Sequence, residues 1–287
     1  MNCHNAFQMQ TYFVFGLFAT ATLLPPLTHT EFLQGQESKI ANSPVALTRA
    51  HSHNDYLQKR PLKDALENGF CSVEADVFLH KGKLHVAHTF IEISENKTLK
   101  ELYLNPLKKR VDKNGGQVFP DTKQFYLFID FKTTASATLK KLEEQLVPYQ
   151  SILSRVENGR VTKGAVTVVI SGNRPVKEIV AAKKRYVFLD GRLGDSSDIG
   201  ADIAPIVSES WNTHFKYRGF RDMNDTESAK LKSIVEKTHS QGKLLRFWAL
   251  PDREGAWSVA FDSKVDLINT DKLAELKAFL EPKSITK

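Results

Sequence analysis

A single (β/α)8 barrel of the TIM type, an α/β fold, is what this sequence predicts, and three observations carry the expectation. The chain is 287 residues long and 41% hydrophobic, enough for one large core at the size common among such barrels, about 250 residues. Short β-type runs alternate with helical patterns, which is the signature of a parallel sheet joined by crossover helices. Eight such runs can be counted, at 45–51, 71–78, 124–131, 165–170, 185–190, 203–208, 244–249 and 265–270, the number that closes a barrel.

The barrel is expected to occupy residues 44–287. Ahead of it, residues 1–30 contain no charged side chain, and Tyr12 to Leu24 is an apolar run with the length of a signal-peptide core, too short for a comfortable membrane span. The segment reads as a signal peptide or, uncleaved, an N-terminal anchor, so export is expected. Residues 31–43 (EFLQGQESKIANS) are polar and aperiodic and read as a linker. Cys3 lies in the leader and leaves Cys71 alone, which excludes an intramolecular disulfide, a CxxC redox pair and a thiolate zinc site in the barrel. Among the helices, Pro61 to Asn68 opens on proline and is followed by Gly69, while Ala135 to Leu153 and Thr226 to Gln241 are longer amphipathic stretches.

Lysine and arginine exceed aspartate and glutamate by 40 to 33, a formal charge of +7 that favours phosphates or anionic lipid surfaces as partners. The basic clusters, such as Lys108, Lys109 and Arg110 or Lys183, Lys184 and Arg185, carry no interleaved aromatic residues, so no nucleic-acid face is expected.

Side-chain parity places the chemistry. In a barrel strand alternate residues point inward, and a polar residue of inward parity near the carboxyl end belongs to the mouth. In CSVEADVF (71–78), Val73, Ala75 and Val77 form the outward apolar set, leaving Glu74 and Asp76 inward. FYLFIDFK (125–132) repeats the pattern, with Phe125, Leu127, Ile129 and Phe131 outward and Asp130 and Lys132 inward. Adjacent carboxylates repel, so three of them call for a cation, or else for an ion-pair network with Lys132 or a nearby arginine. Oxygen ligands alone point to Mg²⁺ or Ca²⁺ rather than Zn²⁺.

His51 and His53 end the first strand with Asn54 and Asp55 after them, and His88 follows a short β-like run, Leu84 to Ala87. Imidazoles beside a bound phosphate suit acid and base work near neutral pH. Trp248 is a candidate for substrate binding, as are Asn54 and Lys132. His80, His85, His214 and His239 read as solvent-exposed bystanders, and Asp271 as a cap for the helix that begins at Lys272.

The run His51-Ser-His-Asn-Asp-Tyr56, then Pro61-Leu62 with Ala65-Leu66 and Gly69, then Ser72 to Val77 and Leu84 to His88, resembles the glycerophosphodiester phosphodiesterase and phosphatidylinositol-phospholipase-C-like superfamily. Ile129 to Lys132 and Ile268 to Asp271 fit more loosely. The resemblance implies a barrel, Mg²⁺ or Ca²⁺ bound by Glu74, Asp76 and Asp130, and two catalytic histidines, His88 and either His51 or His53. It implies a small-molecule or lipid phosphodiester substrate whose own hydroxyl attacks phosphorus, with water opening the cyclic product in hydrolases and not in lyases. The chain lacks the His-Arg-Gly turn and Glu-Asn-Thr triplet of the glycerophosphodiesterases, and follows instead a His-x-His-Asn-Asp-Tyr branch.

Two rival readings differ in class. His-x-His at the end of a first strand also opens the amidohydrolase and PHP-type metallohydrolase sites, which gather further histidines that the strands at 165–170 and 185–190 lack. A catalytically silent barrel that binds a phospholipid or sugar phosphate at the cell surface is the other reading.

Overall fold

The computed structural model describes residues 44–122 and 124–284; the leader and linker expected over residues 1–43 lie outside the described residues. Eight strands form the barrel: β1 (Leu47–Ser52), β2 (Phe70–His80), β4 (Phe125–Phe131), β7 (Val166–Gly172), β9 (Val187–Gly191), β10 (Ile206–Ser210), β11 (Leu244–Trp248) and β12 (Ile268–Thr270). They pair in parallel in the order β11-β10-β9-β7-β4-β2-β1-β12. The two ends of that path meet at a parallel bridge between Arg246 and Leu267, so the barrel is nearly closed. β3 (Lys83–Val86) folds back antiparallel on β2, and β5 (Arg155–Glu157), β6 (Arg160–Thr162) and β8 (Lys184–Arg185) form a small separate sheet that the sequence reading did not foresee.

The helices are α1 (Lys63–Glu67), α2 (Asn105–Lys113), α3 (Ala135–Leu146), α4 (Val176–Ala181), α5 (Trp211–His214), α6 (Asp225–Ser240), α7 (Glu254–Asp262) and α8 (Leu273–Ser284). The stretch expected to be helical as far as Leu153 stops at Leu146 and tightens into a 3₁₀ turn over Val147–Tyr149, because Pro148 has no amide hydrogen to continue the ladder. None of the helices among the described residues is long and apolar enough to cross a membrane.

The two side-chain parities bury into different layers. Val73, Ala75, Val77, Leu127 and Ile129 join Leu142, Leu146, Leu231, Val235, Trp257 and Leu276 of the helices in one core. Residues of the other parity, Tyr126, Phe128, Val169, Ile206 and Leu267, form a smaller cluster inside the barrel, as alternation in a closed sheet requires. Strand composition follows the same logic, since β4 and β7 are almost wholly aromatic or β-branched and both are buried on two faces.

One fixed point orients the loop that carries the histidines. Gly69 ends α1 with φ +80°, and a Cβ there would overlap the carbonyl oxygen of Val45, so only glycine lets the chain enter β2 beside β1. On the other side of the same loop Asp55 is fully buried. Its Oδ1 accepts from Ser52 Oγ at 2.8 Å, and its Oδ2 accepts from Leu62 N at 2.6 Å and Tyr103 Oη at 2.9 Å. Burial pushes this carboxyl up to about 6 against those three donors. An amide has only one acceptor oxygen, so Asp55→Asn is expected to destabilise the barrel by about 1–3 kcal/mol in urea unfolding; an unchanged midpoint would show that the bonds to Asp55 hold nothing together.

Candidate active site

The carboxyl ends of β1, β2, β4, β11 and β12 meet around one acidic cluster. Glu74, Asp76 and Asp130 place carboxylate oxygens within 4.8 Å of one another. The cluster exists because β2 and β4 pair in register, with Asp76 opposite Asp130, and because Glu74 and Asp76 share a face two residues apart. Gly172, at φ +65°, ends β7 on the far side of Asp130, and a Cβ there would overlap the Asp130 carboxylate. Ser171 Oγ donates to Asp130 Oδ2 at 3.0 Å.

Two cations reach the cluster. Lys132 Nζ lies 3.0 Å from Asp76 Oδ2 and 2.8 Å from Asp130 Oδ1. Arg246, buried on β11, donates from NH2 to Glu74 Oε2 at 2.9 Å and from Nε to Asn269 Oδ1 at 3.1 Å, and its guanidinium lies 4.8 Å from the centre of the Phe128 ring. Burial works against ionised Glu74, yet Arg246 and the neighbouring histidines hold it well below the usual carboxylate range. Asp76 moves the opposite way, raised by burial and by the charges of Asp130 and Glu74 in spite of Tyr56 and Lys132. The ion-pair network foreseen as the alternative to a cation is therefore present, but two cationic side chains face three carboxylates. An all-oxygen set with that residual negative charge fits a hard divalent cation such as Mg²⁺ or Ca²⁺, and no histidine or thiolate belongs to the set among the described residues.

The three candidate histidines fall in unlike surroundings. The His51 side chain is 0% exposed, with Nδ1 2.7 Å from Ser72 Oγ, Nε2 3.5 Å from Glu74 Oε2, and its ring edge-on to Phe128. Burial first, and then Arg246, lower it to about 3, so it is neutral at pH 7. The His53 side chain is 28% exposed, with Nε2 4.0 Å from Glu74 Oε2 and Nδ1 2.8 Å from Asp271 Oδ1. Burial lowers its pKa, but the bond to Asp271 and the charge of Glu74 outweigh that and raise it. Asn54 stands 3.2 Å from the same Nδ1, in a left-handed conformation that asparagine tolerates. The His88 side chain is 52% exposed, 3.5 Å from Asp76 Oδ2 through Nδ1.

Tyr56 ties these parts together. Its hydroxyl donates to Asp76 Oδ2 at 2.7 Å and lies 2.8 Å from Asn54 Oδ1 and 2.9 Å from His88 Nδ1; burial and the Asp76 charge hold the phenol far above its ordinary range.

All of the metal-ligand candidates, together with Lys132, Asn54 and the histidines, thus come to one mouth, and Trp248 ends β11 with the same parity as Arg246. Two residues of this site, Arg246 and Tyr56, escaped the sequence reading, and a third, Asp271, reads there as a helix cap. Arg246 lies two residues before Trp248 on β11 and so shares its parity, and that parity was the available signal. Tyr56 stood within the quoted motif without a role. Asp271 spends Oδ1 on His53, while the amide of Lys272, just before α8, donates to Thr270 Oγ1 instead. His85, expected to be exposed, is fully buried with Nδ1 3.1 Å from Ser94 O, a packing role. Asp190, fully buried at the end of β9 and paired with Arg192 at 2.8 Å, was likewise passed over although it ends a strand as Asp130 does.

Barrel and site together define a phosphodiesterase-type (β/α)8 protein. A match to the AIM6-like phosphodiesterase domain spans residues 40–190, and the chain belongs to that family. It is similar to altered inheritance of mitochondria protein 6 of Eremothecium gossypii, at 31% identity over 86% of this chain and 73% of that protein. It is also similar to the homologue from Arthroderma benhamiae, at 27% identity over 92% and 95%. In fold it resembles a glycerophosphodiester phosphodiesterase from Parabacteroides distasonis, with a TM-score of 0.50 and 16% identity over 84% of this chain and 99% of that one.

The buried ion pair gives a quantitative test. Arg246→Met strands Glu74 in the barrel without its partner and is expected to cost about 3–5 kcal/mol in urea unfolding. Adding Glu74→Gln should restore part of that loss, and purely additive losses would mean that the two side chains are not coupled.

Proposed function

We propose that the protein is a cation-dependent phosphoric diester hydrolase, or a cyclising lyase, acting on a glycerophosphodiester or a phospholipid head group. The observation that carries this reading is the pairing of two accessible imidazoles with the acidic cluster, His53 against Glu74 and His88 against Asp76. A divalent cation held by Glu74, Asp76 and Asp130 would neutralise charge on the non-bridging phosphate oxygens.

His53 is the proton acceptor in this reading and Asp271 its positioning residue. A carboxylate only accepts, so the 2.8 Å bond puts the proton on Nδ1 and leaves Nε2 with its lone pair, turned toward the cluster. That nitrogen would take the proton of the attacking hydroxyl. His88 is the proton donor to the leaving oxygen. Because the Tyr56 hydroxyl gives its single proton to Asp76, it accepts from His88 Nδ1, and in this reading His88 acts as the imidazolium, whose second proton, on Nε2, passes to the leaving oxygen. Lys132 would add positive charge beside the phosphate. What favours His53 over His51 is access: His51 is enclosed, and both its nitrogens are directed at Ser72 and Glu74. His51 then acts by holding Glu74 in place.

Kinetics on a water-soluble phosphodiester separate these roles. His53→Ala and His88→Ala are expected to lower kcat by about 10²–10⁴-fold with the cation dependence unchanged, whereas His51→Ala should raise the cation concentration needed for half-maximal rate. Full activity in His88→Ala would sink the acid–base assignment and leave the silent barrel as the better account.

A further inference from the structure

The large apolar side chains left in solvent are unevenly distributed. Among the described residues the exposed ones are Leu57, Phe90, Ile91, Phe220 and Trp248, together with four valines. Leu57 follows β1, Phe90 and Ile91 follow β3 just beyond His88 and Thr89, Phe220 lies between α5 and α6, and Trp248 ends β11. Leu57, Phe220 and Trp248 lie at or beyond the carboxyl ends of barrel strands, and Phe90, with Ile91 next to it, packs on Phe78 near the carboxyl end of β2, so all five are on the face that carries the acidic cluster. Val45, Val147, Val161 and Val180 precede β1, end α3, lie in β6 and approach the end of α4, away from that face. Single exposed apolar residues need no explanation, but a ring of the largest ones around a mouth does.

The exposure at Phe220 is built into the loop. Tyr217 Oη donates to Arg221 O at 3.0 Å, Trp211 Nε1 donates to Tyr217 O at 2.9 Å, and Arg218 donates to the carbonyls of Phe215 and Tyr217 at 3.0 Å each. Gly219 has φ +82°, and a Cβ on Gly255 would overlap its carbonyl, so the turn is packed tightly against the start of α7. The braced turn holds Phe220 67% exposed, with the Arg253 guanidinium 3.9 Å from its ring centre. Lys216, Arg218, Arg221 and Arg253 are exposed around it, against Asp222, Asp225 and Glu254.

We propose that this rim, with Leu57, Phe90, Ile91, Phe220 and Trp248 as apolar anchors and Arg218, Arg221 and Arg253 beside them, docks on an anionic phospholipid bilayer. The site would then take its phosphodiester from a lipid head group in the membrane surface. Apolar side chains on separate loops around an opening can each enter the boundary between head groups and acyl chains, while the arginines meet lipid phosphates. A nucleic acid would call for stacking aromatics along one basic groove, and the exposed aromatics here, Phe90, Phe220 and Trp248, lie apart on three segments. The choice of lipid as substrate rests on the phosphodiesterase reading above; the docking does not.

Tryptophan fluorescence tests the docking on the full chain. Trp211 and Trp257 are buried, Trp248 is 42% exposed, and the sequence has three tryptophans, none before residue 44, so a change in emission reports Trp248. Vesicles of phosphatidylcholine with phosphatidylglycerol should shift the emission to the blue, and vesicles of phosphatidylcholine alone should do so far less. Ile91→Ser with Phe220→Ser should weaken sedimentation with the anionic vesicles by about ten-fold or more while turnover of a water-soluble diester stays as in wild type. Unshifted emission, equal sedimentation of the double variant, or a shift produced only by an oligonucleotide would overturn the proposal. A normal vesicle response with no turnover of soluble or lipid diester would overturn the phosphodiesterase reading and leave the docking surface standing.

Discussion

Three carboxylates brought together inside a barrel repel one another, and the surroundings of Glu74, Asp76 and Asp130 are arranged around that repulsion. Arg246 crosses from β11 to hold Glu74, and Lys132 spans Asp76 and Asp130. Each pair is worth something only because both partners are present and further bonds fix them, such as that from Arg246 to Asn269. The register of β2 against β4 sets where the negative charge collects, and the closure of β11 on β12 sets where the arginine can reach it.

From that charge follow the different states of the histidines. His51 is enclosed between Ser72, Glu74 and Phe128, and stays neutral. His53, two residues on, has turned out of the strand far enough to meet Asp271 and is drawn toward the protonated form. An i, i+2 spacing therefore yields one enclosed imidazole and one that stays accessible. The Tyr56 hydroxyl links the second histidine to the metal-ligand candidates, so that Tyr56, Asp76 and His88 form one hydrogen-bonded unit.

Much of this was legible in the sequence because alternation in a barrel strand is strict. All eight strands fall where the apolar runs place them, and the parity of 71–78 and 125–132 separates Glu74, Asp76 and Asp130 from their outward neighbours. Legibility stops where partners come from distant strands. Nothing local to Leu-Arg-Phe-Trp tells that Arg246 will lie beside Glu74, 172 residues away, and nothing local to Asp271 tells that it faces His53, 218 residues away. The choice between His51 and His53 was open for the same reason, since burial is a property of the assembled mouth. The small sheet of β5, β6 and β8 was missed because its three strands are two or three residues long and carry no period to detect. Membership of the AIM6-like phosphodiesterase family rests on a match that covers β1 to β9, the part of the barrel that includes the acidic cluster and all three histidines, while Arg246 and Asp271 lie beyond it.

The most direct test of the account is phosphorus NMR of the purified protein with a glycerophosphodiester and a lysophospholipid, followed through chelation and return of a single cation. The account predicts that a chelator stops turnover, that Mg²⁺ or Ca²⁺ restores it, and that a linear or a cyclic phosphate signal identifies the reaction as hydrolysis or cyclisation. Turnover that survives chelation, or that returns only with Zn²⁺, would contradict a hard cation held by Glu74, Asp76 and Asp130.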